Sequence, residues 1–171
     1  MNSVKFGTDG WRAVLGQEFN GENVDRLTLA IGKYVSENFG FDKPILVGYD
    51  PRKSADEYAA FCANVLKAKG FTVYFTSRVV PTPVLAYNAL EKNACAIMFT
   101  ASHNPPEYLG MKFIPDYAGP ATSEITNEIL SNLDKGFKSG ENGSFHKIDF
   151  GEKYYEHINS IIDFEKIKTL K

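Results

Sequence analysis

The sequence predicts an α/β protein, a three-layer α/β/α sandwich around a mixed, mostly parallel sheet. Three observations carry that class. Residues 44–49, 71–75 and 94–99 are short apolar runs without alternation, the pattern of strands covered on both faces. Between them lie segments whose apolar residues recur every three or four positions, the period of a helix. The 171 residues are 43% hydrophobic, enough for one buried core.

In order along the chain, Asn20-Gly21-Glu22 introduces a helix in which Val24, Leu27, Ile31 and Val35 share one face and Gly40 is the stop. Residues 44–49 follow as a strand, closed by a turn at Asp50-Pro51. Ser54-Ala55-Asp56-Glu57 fits a capping box, so a second helix is expected there. Its buried face reads as Tyr58, Phe61, Cys62, Val65 and Leu66, with Gly70 as a left-handed C-terminal residue. After the strand at 71–75, Thr82 reads as a cap with Pro83 at the first helical position, and Leu85, Ala86, Ala89 and Leu90 continue that helix.

The strand at 94–99 gives way to a run of Ser, His, Asn and two prolines, which must be a loop at a strand end. A short strand at 110–115, a turn at 118–120 and a helix over 123–137 with Ile125, Ile129 and Leu133 inward come next. Residues 138–144 resemble a linker, and 152–163 carry Tyr155, Ile158, Ile161 and Ile162 at helical spacing. The division expected is 1–150 for the layered domain and 151–171 for a C-terminal helix and linker.

Composition excludes several classes. Nineteen basic against 21 acidic side chains leave a formal charge of -2, so no global field attracts a nucleic-acid backbone. Cys62 and Cys95 lack paired spacing, which disfavours a disulfide scaffold and a zinc ribbon and makes a reducing cytosol the expected compartment. No apolar run approaches the ~20 residues of a membrane span.

In parallel α/β sheets chemistry gathers beyond the carboxyl ends of the strands, here the loops 49–53, 76–82 and 100–107. Thr100-Ala101-Ser102-His103-Asn104-Pro105 places a hydroxyl, an imidazole and an amide on one short turn. A hydrolase triad is disfavoured, because neighbouring side chains such as Ser102 and His103 are expected to point apart and no Gly-x-Ser-x-Gly elbow is present.

This loop resembles the phosphoserine loop of the α-D-phosphohexomutases, the family of phosphoglucomutase, phosphomannomutase and phosphoglucosamine mutase. Phe6-Gly7-Thr8-Asp9-Gly10-Trp11-Arg12 resembles the family's N-terminal signature and Gly48-Tyr49-Asp50-Pro51-Arg52 its strand-end arginine motif. Pro81-Thr82-Pro83, Gly110-Met111-Lys112-Phe113 and Tyr117-Ala118-Gly119-Pro120 keep the same order. The resemblance implies that residues 1–150 are the family's first domain. It further implies that Ser102 carries a phosphoryl group, gives it to a hydroxyl of a hexose phosphate, and regains one from the resulting hexose bisphosphate. His103 and Lys112 are then the implied proton-transfer groups, and Thr8, Arg12, Arg52 and Asn104 the implied phosphate or substrate contacts. Mg²⁺ is the implied cofactor of the whole enzyme, touching this domain through the phosphate on Ser102. A phosphoserine is close to a dianion at pH 7, so a ring of cations suits it, and phosphoryl transfer is catalysed mainly by positioning and charge.

Blander readings stand beside these. Arg12 and Arg52 could pair with carboxylates such as Asp9 or Asp50, Lys112 could face solvent, and His146 and His157 read as surface histidines. Cys62 and Cys95 read as small core residues and Trp11 as an anchor. Leu109 stands where the family commonly has asparagine, which puts one polar contact near Lys112 in doubt. The family's Asp-Gly-Asp metal loop and Gly-Glu-x-Ser-Gly sugar loop are absent from these 171 residues. The expectation is therefore an N-terminal domain cut near its boundary, with residues 163–168 leading into the first strand of a second domain. Its partners would be the remaining domains, with no nucleic acid and no membrane, and alone it would be inactive and bind Mg²⁺ weakly. A phosphate- or effector-binding α/β module without catalysis is the alternative, and a scaffold docking through its C-terminal helix face is a third.

Overall fold

The computed structural model describes residues 4–170. In chain order the elements are β1 (Trp11–Val14), α1 (Gly21–Phe39), β2 (Ile45–Tyr49), α2 (Ala55–Ala68), β3 (Thr72–Thr76) and α3 (Thr82–Glu91). They continue with β4 (Cys95–Phe99), β5 (Tyr108–Ile114), α4 (Ser123–Ser131), β6 (Ser144–Ile148), α5 (Gly151–Ile161) and α6 (Phe164–Lys168). The six strands form one sheet in the order β1-β5-β4-β2-β3-β6. β4, β2, β3 and β6 pair in parallel, while β5 runs antiparallel to both β4 and β1. The chain thus has the expected mixed, mostly parallel α/β/α sandwich.

Each face of the sheet has its own core. On one, Val24, Leu27, Ile31 and Val35 of α1 and Cys62 and Leu66 of α2 pack on Ile45, Val47, Ile97 and Phe99, with Ile129 of α4 joining them. On the other, Val84, Leu85 and Ala89 of α3 and Phe150 before α5 cover Leu46, Ala96, Met98 and Ile114. Burying one such Leu, Ile or Phe contributes roughly 1.5–3 kcal/mol, so these two clusters fix the stack of layers. Gly48 is a close approach in that stack: a β-carbon there would lie 2.9 Å from Val80 and 3.0 Å from Leu85.

Several local expectations change. The helix after β2 begins where the capping box put it, but Ser54 sits at φ 59° and its side chain makes no capping bond. A capping box needs extended backbone at the cap, and the turn in which the Ala55 amide donates to the Arg52 carbonyl removes it. The buried face of α2 is Ala55, Ala59, Cys62, Ala63 and Leu66, and Phe61 is exposed, because small residues let this helix lie close to the sheet. Pro81, not Thr82, caps α3, and Leu90 is exposed. α4 ends at Ser131, followed by turns that place Asp134 at φ 62°.

Residues 138–144 are not a loose linker. The Gly140 amide donates to the Lys69 carbonyl and Ser144 opens β6, an edge strand paired with β3. Phe164–Lys168 form the short helix α6, with the side chain of the capping residue Asp163 accepting from the Lys166 amide. α5 lies on α3 through Tyr87, which meets Tyr154 edge-on at 5.8 Å and stacks on His157 at 4.7 Å. His146 and His157 are both exposed, and Cys62 and Cys95 are both buried with free thiols. Trp11 is an anchor, 3% exposed and stacked on Phe19 at 4.8 Å. No helix among the described residues is long and apolar enough to cross a membrane.

Candidate active site around Ser102

β1, β5, β4 and β2 lie side by side and bring together the segments that carry the candidate residues. Side chains alternate along a strand, so Trp11, Ala13, Leu109 and Met111 enter the α1–α2 core, while Arg12, Gly110 and Lys112 face the other side. Arg12 pairs directly with Gly110 across β1 and β5. Only glycine fits there: a β-carbon on Gly110 would lie 2.5 Å from the Thr100 carbonyl oxygen, 2.7 Å from that of Trp11 and 3.0 Å from Cγ of Arg12. Leu109 is fully buried on the core side. The asparagine-to-leucine difference therefore lies across the sheet from Lys112.

The segment before β1 is a tight turn in which the Gly7 and Gly10 amides and carbonyls bond each other at 3.2 and 2.8 Å. Thr8 and Asp9 form its exposed tip. Gly10 has φ +86° and packs against the backbone of β5, where a β-carbon would meet the Met111 oxygen at 2.6 Å and Lys112 Cα at 3.0 Å. This turn therefore runs beside Lys112, whose side chain is half-buried and has no hydrogen-bond or ion-pair partner among the described residues.

The loop between β4 and β5 starts at Thr100, whose amide donates to the Gly110 carbonyl at 3.0 Å. Ser102 is exposed and occupies the left-handed region at φ 54°, which a non-glycine residue adopts only when its surroundings hold it there. Its amide donates to Thr100 Oγ1 at 3.0 Å, and the Asn104 amide donates to the Ala101 carbonyl at 3.0 Å. This backbone also changes one expectation: Ser102 and His103 do not point apart, and Ser102 Oγ lies 3.4 Å from His103 Nδ1. No carboxylate bonds that imidazole among the described residues, so the hydrolase triad gains nothing from the contact.

The two arginines differ in what they hold. Arg12 reaches the loop with one bond, Nη1 donating to Asn104 Oδ1 at 3.2 Å. Arg52 is committed throughout: Nη2 donates to the Ser102 and Asn104 carbonyls at 2.8 and 2.7 Å, and Nη1 to those of Pro105 and Tyr108 at 2.9 and 3.0 Å. Its Nε lies 3.5 Å from Asp50 Oδ2, so the ion pair with Asp50 forms as the bland reading expected. Motif position alone could not separate these roles, because only the folded loop turns its carbonyls toward one side chain. Beside Ser102 and Asn104, a cavity of about 490 Å³ opens between Asp50, Pro51, Lys53 and Pro106. A second, of about 510 Å³, lies between Lys112, Tyr87, Tyr154 and His157. Sequence reasoning did not single out Tyr87 or Tyr154, whose role depends on the docking of α5.

The turn at Gly7–Gly10, the glycine pocket beside Arg12 and the clamped serine loop form one surface at an end of the sheet. Known proteins resemble this chain in sequence and in fold. A family profile described as phosphoglucomutase/phosphomannomutase, alpha/beta/alpha domain I, matches residues 3–139. Phosphoglucosamine mutase of Thermotoga maritima is 33% identical over 145 residues, covering 85% of this chain and 30% of that protein. Phosphoglucosamine mutase of Clostridium botulinum is 34% identical over 174 positions, covering 97% and 37%. A solved structure from Thermus thermophilus, described as a phosphomannomutase, superimposes with a TM-score of 0.86 at 32% identity, covering 95% of this chain and 37% of that one. The chain thus spans about a third of the length of the curated relatives it matches. With a profile match over most of its length and a superposition that takes in nearly every residue, this chain belongs to the phosphoglucomutase/phosphomannomutase family through its α/β/α domain I.

Proposed function

We propose that Ser102 is the phosphoryl carrier of a phosphohexomutase and that glucosamine phosphate is the favoured substrate, with glucose and mannose phosphates next. The observation that carries this reading is the exposed Ser102 in a left-handed, hydrogen-bonded loop, with His103 Nδ1 at 3.4 Å from its Oγ and Arg12 bonded to Asn104 of the same loop. The relatives named phosphoglucosamine mutase support the choice of sugar.

In the proposed reaction the phosphoserine Oγ–P bond breaks as a sugar hydroxyl oxygen forms a new bond to phosphorus. The hydroxyl proton passes to a base, for which Lys112 and His103 are the proposed candidates. The hexose bisphosphate turns over, its other phosphoryl group returns to Ser102 Oγ, and the proton is given back. Arg12 stabilises charge on the transferring group, with most of its guanidinium available, and Thr8 sits on the turn beside it.

Mg²⁺ would supply charge neutralisation at the phosphoryl oxygens. Among the described residues no three His, Cys, Asp or Glu side chains converge on a point, and Asp50 is spent on Arg52. The residues of this chain do not by themselves fit a Mg²⁺ site, which needs an octahedral oxygen set. The proposed division is 1–150 as the catalytic-serine domain and 151–171 as a helix and connection toward further domains. Taken alone, the 171 residues are proposed to give no turnover, since one wall of a cleft cannot position a sugar between two reacting ends. Two buried free thiols support a reducing, cytoplasmic setting.

The test is a coupled assay of the whole polypeptide carrying this domain on the 1-phosphates of glucosamine, glucose and mannose. Wild-type turnover that Ser102→Ala abolishes supports the reading. Turnover retained by that variant overturns it.

A further inference from the structure

We propose that Arg52 is a positioning residue that sets the shape of the Ser102 loop and is not an anion ligand. The proposal rests on the reading of Ser102 as the phosphoryl carrier, and it replaces the phosphate contact that the sequence resemblance implied for Arg52.

A guanidinium has five N–H donors, and the structure gives four of them a carbonyl and turns the fifth toward a carboxylate. Four go to the carbonyls of Ser102, Asn104, Pro105 and Tyr108 at 2.7–3.0 Å, and Nε faces Asp50 Oδ2 at 3.5 Å. Asp50 holds the residue a second time, its Oδ1 accepting the Arg52 amide at 3.1 Å. The side chain is only 15% exposed. A phosphate could bind Arg52 only by displacing these loop carbonyls, of which that of Pro105 also accepts the Tyr108 amide at 3.0 Å.

The converging carbonyls also explain the backbone of Ser102. Its left-handed conformation costs energy in a residue with a β-carbon, and two bonds to one rigid fork, on the carbonyls of residues 102 and 104, offset that cost on both sides of His103. The fork is mostly buried against the loop, while Ser102 is exposed. Lysine cannot replace this, having three donors on one point instead of five in a plane. Arg12, by contrast, spends one donor on Asn104, so the division of labour assigns the anion to Arg12 and the loop to Arg52.

The experiment is NMR spectroscopy on the 171-residue chain as wild type, Arg52→Lys and Arg52→Ala, with thermal unfolding of each to establish folding. In the wild type the four Hη protons of Arg52 are expected as separate signals, because saturated bonds stop rotation of the fork. Inorganic phosphate is expected to leave Arg52 Nε in place. In both variants the Ser102 and Asn104 amides are expected to exchange with solvent about tenfold faster or more, while those of Val47 and Ile97 in the central strands keep their rates. Averaged Hη signals, an Arg52 Nε that moves with phosphate, or variant loop amides exchanging at the wild-type rate overturn the proposal. Should a variant not fold, the wild-type signals decide alone. Failure of the serine reading shows itself elsewhere, as turnover surviving Ser102→Ala, and leaves these spectra unchanged.

Discussion

Gly110→Ala perturbs the packing under the site, pressing on two backbone oxygens and on Cγ of Arg12. Gly110 sits in β5 between β1 and β4, and its carbonyl accepts the Thr100 amide at 3.0 Å. The added β-carbon would stand 2.5 Å from the Thr100 oxygen and 2.7 Å from the Trp11 oxygen, both backbone atoms that cannot swing aside. Either the β1–β5 ladder or the start of the serine loop must shift by several tenths of an ångström. Overpacking of this kind costs about 1–3 kcal/mol, and in a chain of this size each kcal/mol moves Tm by roughly 2–4 °C. A fall of about 2–12 °C is expected in calorimetry of the 171-residue chain. Gly136→Ala is the control, since nothing lies within 4 Å of a β-carbon there, and its expected effect is under about 0.5 kcal/mol. If the two variants melt together within error, the close packing of β1, β5 and the serine loop is refuted.

Burial pushes the Cys62 and Cys95 thiols up to about 12, so both stay protonated at pH 8. A thiol-specific reagent is expected to titrate neither until the chain unfolds, and rapid labelling of either in the native protein would contradict their burial. For such a group the folded value lies above the unfolded one, so the stability it lends is present below the unfolded thiol pKa and is lost as pH rises through the alkaline range. The Arg26 guanidinium holds the Asp134 carboxyl below the usual range, mainly by the hydrogen bonds at 2.6 and 2.7 Å. Its stabilisation is therefore present above the unfolded carboxyl pKa and fades as pH falls through the folded one. Asp134→Asn is expected to flatten the acid limb of the Tm-against-pH curve slightly, and an unchanged limb would show that the exposed pair contributes nothing. Lys112→Met is expected to lower kcat of the whole enzyme by at least about 10²-fold with the domain's Tm preserved, and wild-type kcat would remove Lys112 from the reaction.

The elements that read plainly in the sequence were those whose neighbours are apolar on both sides. β2 and β4 and the inner face of α1 carry their burial in their own residues, so a continuous run or a 3.6-residue period exposes them. β1 and β6 do not. Each is an edge strand bonded on one side only, and Ser144, Phe145, His146, Lys147 and Ile148 carry no apolar run because most of that strand faces solvent. Phe61 misled for a related reason: a hydrophobic residue on a helix need not face the core when alanines and Cys62 give a closer fit. At the site, the motifs identified the loop and the residues around it. What they could not convey was allocation, since Arg12 and Arg52 look alike in a sequence and are distinguished only by how many loop carbonyls each meets.

The central claim is that Ser102 carries the phosphoryl group, and one labelling measurement tests it directly. The whole polypeptide carrying this domain is mixed with a hexose bisphosphate bearing a labelled phosphoryl group, quenched within a single turnover, digested and mapped by mass spectrometry. The account predicts label on the peptide containing Ser102, at the serine oxygen, and none in Ser102→Ala. Full turnover accompanied by label on another residue, or by no protein-bound label at all, would contradict it.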